Sequence, residues 1–161
     1  MKTAQALLGV TNNSRNWLRM WSSDFSEAEA TSSGGTATNP LAWQLAHIAA
    51  IQDEVYMIFA GKPGVVPASL RTLAGNASAS PVPGTPFPPV NELWTLLDQT
   101  HANITALIEA TPEGEFDSPP KSPHPFFKSL GQALYTIASN EAYHTGQIGA
   151  LRKALGKKKI V

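Results

Sequence analysis

Asn140, Glu141 and His144 interrupt an apolar helical seam near the end of the chain; Leu130, Leu134 and Ile137 precede them, and Ile148, Leu151 and Leu155 resume the pattern. At 100° per residue, with His144 at zero, Ile137 lies at about +20°, Asn140 at about −40°, Ile148 at about +40° and Leu151 at about −20°. The polar groups therefore stand inside the apolar face. Unpaired polar groups in a core cost roughly 1–3 kcal/mol each, so a histidine with an asparagine one turn before it needs either hydrogen-bond partners or a metal ion. A divalent ion suits imidazole nitrogen, and an open coordination position on it would carry chemistry. Asn140 offers a carbonyl oxygen, and Glu141, at about +60°, offers a carboxylate as a ligand or as the group that orients an imidazole.

His47 is the second histidine set within an apolar face, sharing it with Trp43, Ala50, Ile51, Glu54 and Ile58. It lies roughly 12 Å from the start of its helix and His144 roughly 16 Å from the end of its own, so antiparallel packing of the two brings both rings to similar levels. Parallel packing separates them by something on the order of 16 Å. Glu54 stands two turns from His47 and is read as partner to a buried polar group rather than a ligand of the same ion. His101 falls at the boundary of its helix's apolar arc, and His124, between Pro123 and Pro125, belongs to turn chemistry. Trp17, Trp21, Trp43 and Trp94 are read as core and interface residues. No glycine-rich phosphate loop or nucleophile elbow is present.

Four amphipathic stretches must position these groups. The first runs from about Thr3 to Trp21, with a core side that is only partly apolar. The second has Asn39 as N-cap, Pro40 at the first helical position, and Gly61 and Pro63 as its stop. The third runs from about Pro89 to Ala110, and the fourth from near Pro125 to Leu155, with Gly156 in the left-handed terminating conformation. No alternating strand pattern appears, so the fold class is all-α, a four-helix bundle in one domain spanning 1–161. The segment from Lys62 to Pro88, rich in proline, glycine, alanine and serine, reads as a crossover long enough to return along a helix, which allows up-down-down-up order. Ser32 to Thr38 and Thr111 to His124 read as surface loops.

Twelve basic and twelve acidic residues balance, which gives no reason to expect a nucleic acid or an anionic membrane as partner. The Lys157-Lys158-Lys159 run reads as a solvated helix terminus. The chain has no cysteine, which excludes disulfides, zinc–thiolate sites and a cysteine nucleophile. Met1-Lys2-Thr3 leads straight into an amphipathic pattern with no apolar signal region or membrane-length span, and the expectation is a soluble cytoplasmic protein.

The segment Asn140-Glu-Ala-Tyr-His-Thr-Gly-Gln-Ile-Gly-Ala-Leu-Arg-Lys-Ala-Leu-Gly156 resembles the closing helix of the DinB/YfiT-like metalloenzyme superfamily. Asn39-Pro-Leu-Ala-Trp-Gln-Leu-Ala-His47-Ile-Ala is similar to its second helix. The resemblance, which covers nearly the whole chain, implies an up-down-down-up four-helix bundle, a homodimer, and three histidines around zinc, nickel or a related ion. His47 and His144 match two of those ligands; the third position is Asn140 here, whose amide oxygen is a weaker ligand than imidazole for such metals. It also implies small-molecule chemistry of the thiol S-transferase kind, with a low-molecular-weight thiol as cosubstrate, or a related hydrolysis. Loss of the metal at Asn140 would leave a small-molecule-binding pocket, and a structural or regulatory dimer with a polar core cluster is the third reading.

Overall fold

A computed structural model describes residues 1–75, 80–82 and 84–160, and among them every regular element is helical. Helix α1 spans Thr3–Ser22, α2 Glu27–Ala30, α3 Leu41–Ala60, α4 Ala68–Ala74, α5 Val90–Ala110 and α6 Leu130–Ala154, with a 3₁₀ turn at Glu113–Glu115. None is long and apolar enough to cross a membrane.

The punctuation of α3 follows its sequence with a shift of one residue. Pro40, not Asn39, holds the cap position, and no side chain caps the helix; the Asn39 carbonyl instead accepts from the Gln44 side-chain amide at 2.7 Å. Gly61 ends the helix at φ 65°, donating its N–H to Met57 O, a conformation that glycine adopts without Cβ strain. Helix α6 begins five residues later than Pro125. Ser129 caps it by accepting from Gln132 N–H at 3.3 Å, while Gln132 Oε1 accepts from Lys128 N–H at 2.8 Å. These two bonds satisfy N–H groups at the start of the helix. At the other end Gly156 takes φ 69° as expected.

Helix α3 is buried on all sides from Leu41 to Asp53, rather than along one face, because it packs against α4, α5 and α6. The Lys62 to Pro88 segment is not structureless: α4 lies within it and buries Leu70 and Ala74 against the same core. Asp53, wholly buried, anchors this return by accepting from Val65 N–H at 2.8 Å, Val66 N–H at 3.1 Å and Arg71 at 3.2 Å.

The core divides into two apolar clusters. One gathers Leu18, Leu45, Leu93, Leu97, Ile148 and Leu151. The other gathers Leu7, Ile51, Val55, Ile104, Leu134 and Ile137. Helix α3 passes from the first to the second and α6 from the second to the first, so these two run antiparallel. Between the clusters lies a buried polar layer of Arg15, Gln52, Thr100 and Glu141, one residue from each long helix.

Glycine positions test this packing. A Cβ on Gly64 would overlap the Asp53 carboxylate, whereas one on Gly146, in the middle of α6, meets nothing within 4 Å. Gly64→Ala is expected to lower stability by about 1–3 kcal/mol, and Gly146→Ala to raise it by about 0.5–1 kcal/mol. Urea unfolding of both variants reads the difference, and equal effects would contradict the anchored return.

Candidate functional site

His47 on α3 and His144 on α6 meet with ring centroids 4.9 Å apart and planes at 64°. Both are buried, at 9% and 4% exposure. Trp43, one turn before His47, stacks on its ring at 4.8 Å and 9°, and Tyr143 meets the edge of His144 at 5.3 Å. The structure thus brings together the two histidines paired on the basis of their heights. Trp43 is core, as read from the sequence, but it also forms one wall of the pair.

The tautomer of each ring follows from its outer partner. His47 Nδ1 lies 2.7 Å from the carbonyl of Ala74, which can only accept, so Nδ1 carries the proton. His144 Nδ1 lies 3.3 Å from Gln44 Oε1, and the amide nitrogen of Gln44 is engaged with Asn39 O. That side chain presents its oxygen to the ring, and His144 donates from Nδ1 as well. Each Nε2 is therefore left with its lone pair, the form in which imidazole ligates metals or accepts a proton.

Burial holds both rings neutral. It pulls the His47 pKa below 6.5 against the opposing pull of the Ala74 carbonyl and Glu54. It pulls His144 down to about 4, with repulsion from His47 in the same direction and the Gln147 side chain opposing. Gln147 Oε1 and Trp43 Nε1 are buried without hydrogen-bond partners. Gln44 and Gln147 were not singled out from sequence; the signal for Gln44 was an uncharged amide three residues before His47 in a helix apolar on every side.

Asn140 is half-buried one turn before His144. Glu141 is wholly buried, and its contacts run to α1 and α3: Arg15 Nε donates to it at 2.5 Å, Gln52 Nε2 at 3.1 Å and Ser14 Oγ at 3.4 Å. Burial pushes its carboxyl up, while Arg15, Ser14 and Gln52 favour the ionised form. Glu54 stands 3.4 Å from His124, which also stacks on Phe127 and accepts from the Phe126 and Phe127 N–H groups. His101 pairs with Asn12 at 2.9 Å, away from the site.

Among the described residues no group of three or more His, Cys, Asp or Glu side chains is placed to hold a metal. What the site does present is two imidazoles with ring centroids 4.9 Å apart, the donor type that a nitrogen-preferring divalent ion takes.

The depressed histidine pKa values set a pH dependence. The unfolded chain takes up these protons near 6.5, before the folded one does, so stability present above that pH is lost as pH falls toward about 4. The urea midpoint should drop between roughly pH 7 and pH 5, and drop less in His144→Asn. Equal drops in the two proteins would contradict a buried neutral ring.

A crystal structure described as that of the conserved protein of a locus from Enterococcus faecalis is similar to this one, with a TM-score of 0.75 at 14% identity, covering 98% of this chain and 99% of that one. At that identity the likeness speaks for the fold alone. No curated protein matches the sequence. The family model for the DinB superfamily matches residues 11–148, a span that includes His47, Asn140 and His144. The chain belongs to the DinB superfamily.

Proposed function

We propose that this protein is a metal-dependent member of its superfamily whose site is a reduced one, held by His47 and His144 with Asn140 at the third position. The observation that carries the reading is the pair of Nδ1 hydrogen bonds, to Ala74 O and Gln44 Oε1, which frees Nε2 on two buried rings whose centroids lie 4.9 Å apart. A zinc or nickel ion held there would supply Lewis-acid chemistry, acidifying a small thiol or water. The chain's own contribution is to orient the rings through Ala74 and Gln44, to exclude bulk water through Trp43, and to keep both imidazoles unprotonated at neutral pH. Glu141 acts as a positioning residue, fixing α6 through Arg15.

The order in which α1, α3, α5 and α6 traverse the two apolar clusters supports an up-down-down-up four-helix bundle. A small-molecule electrophile as substrate, a low-molecular-weight thiol as cosubstrate, a cytoplasmic location and a homodimer belong to the same proposal. Thiol transfer and a related hydrolysis are both open to such a site.

A second reading is favoured by Trp43 Nε1 and Gln147 Oε1, a buried donor and a buried acceptor left unpaired around neutral rings. Such a set of groups would bind a small polar molecule without a metal. Equilibrium dialysis with zinc and with nickel separates the two. Stoichiometric uptake that His144→Ala abolishes supports the metal reading, and uptake indifferent to that change overturns it. Asn140→His is expected to tighten binding at least about tenfold, or ~1.4 kcal/mol. Uptake only by Asn140→His would support the metal-free reading.

A further inference from the structure

The outer faces of α1 and α6 enclose a trough of about 1050 Å³, which His47 and His144 do not line. Its walls carry Val10, Trp17, Trp21 and Tyr135, and its floor is made of small residues of α6, among them Ala138, Ala142, Gly146 and Gly149. Trp21 lies so close over Gly149 that a Cβ there would come within 2.8 Å of the indole, so the floor depends on glycine for its depth. Val10, Trp17 and Tyr135 are 37%, 39% and 62% exposed, a cluster of large apolar groups left facing solvent.

Charge along the trough is confined to one end and to one sign. Arg152, Lys153, Lys157, Lys158 and Lys159 line it, and among the described residues no carboxylate does. Arg152 pairs with Asp24, and Lys157 with Glu29 at 3.0 Å. Lys153, Lys158 and Lys159 have no ion pair among the described residues. Two residues at this end also hold buried N–H donors without acceptors, Trp21 Nε1 and Arg152 Nε, groups that are costly to leave unsatisfied. An apolar channel that ends in unpaired cations complements a molecule with an alkyl body and an anionic head. A second copy of the chain pressed onto this face would bring the same five cations against only Asp24 and Glu29, carboxylates already engaged by Arg152 and Lys157. A lipid bilayer would meet a concave trough rather than a projecting apolar edge.

We infer that this trough binds a free long-chain carboxylate, its alkyl chain laid along the α6 floor between Trp17 and Tyr135 and its head at Lys153, Lys158 and Lys159. The site is separate from the histidine pair and does not depend on a metal.

Dodecanoate, kept below its micelle concentration and titrated with Trp fluorescence and calorimetry as readouts, tests this directly, with dodecanol as the uncharged control. Gly146→Leu fills the trough at a position where a side chain meets open space. K153E/K158E/K159E reverses its charged end. Saturable one-to-one binding is expected, with dodecanol and both variants each weaker by at least about tenfold, unchanged helical circular dichroism and no effect of chelator. Several results would overturn the site: absence of saturable dodecanoate binding, equal affinity for the alcohol, or affinity untouched by Gly146→Leu. So would binding to anionic phospholipid vesicles but not to monomeric dodecanoate, or a wild-type dimer that Gly146→Leu dissociates. Loss of metal binding in His144→Ala with dodecanoate binding intact separates this site from the metal proposal.

Discussion

The buried ion pair between Arg15 and Glu141 is the constraint on which the positions of the other groups depend. Arg15 also donates to Leu97 O at 2.7 Å and Gln52 Oε1 at 3.0 Å, and Thr100 donates to the same Gln52 oxygen at 2.9 Å. Groups from α1, α3, α5 and α6 therefore meet at one point between two apolar clusters. Such a pair adds little over a well-packed apolar core, yet leaving one partner alone costs about 3–5 kcal/mol. Its effect is on register. Sliding one helix by a turn, about 5.4 Å, would leave the guanidinium or the carboxylate buried without its partner.

That register is what sets the two histidines level. His47 precedes Gln52 by five residues, about 7.5 Å along α3, and His144 follows Glu141 by three, about 4.5 Å along the antiparallel α6. Both rings thus lie on the same side of the polar layer at heights differing by about 3 Å. Gln44 and Gln147, beside His144, are neutral amides, Glu54 is the carboxylate that acts on His47, and Glu141 is turned toward Arg15. The chemistry follows from this balance. The site provides nitrogen lone pairs in a low-dielectric setting with Glu54 as the carboxylate that acts on it, so a bound cation would keep much of its own charge and act as a polariser, held less tightly than by three imidazoles.

Much of this was legible in the sequence because it rests on local chemistry. Gly61 and Gly156 mark helix ends through a conformation that glycine adopts freely, and the levels of His47 and His144 follow from counting residues along two rods. What was not legible depended on partners distant in the chain. Glu141 looked like a neighbour of His144, but Arg15, 126 residues away, holds it. The late start of α6 came from Ser129 accepting from the Gln132 N–H while the Gln132 side chain accepts from the Lys128 N–H. The all-round burial of α3 required α4, a seven-residue helix inside a stretch whose prolines and glycines read as loop. Asn140 was visible at once, since a polar residue on an apolar face is conspicuous whatever its partners.

The claim beneath the functional reading is that Ala74 and Gln44 hold both buried imidazoles in the Nδ1–H form. Two-bond ¹⁵N–¹H correlation spectra of the metal-free protein at neutral pH report the tautomer of each ring. Neutral rings are expected for His47 and His144, each with its proton on Nδ1 and an unprotonated Nε2. A proton on Nε2 of either ring, or an imidazolium at that pH, would contradict it.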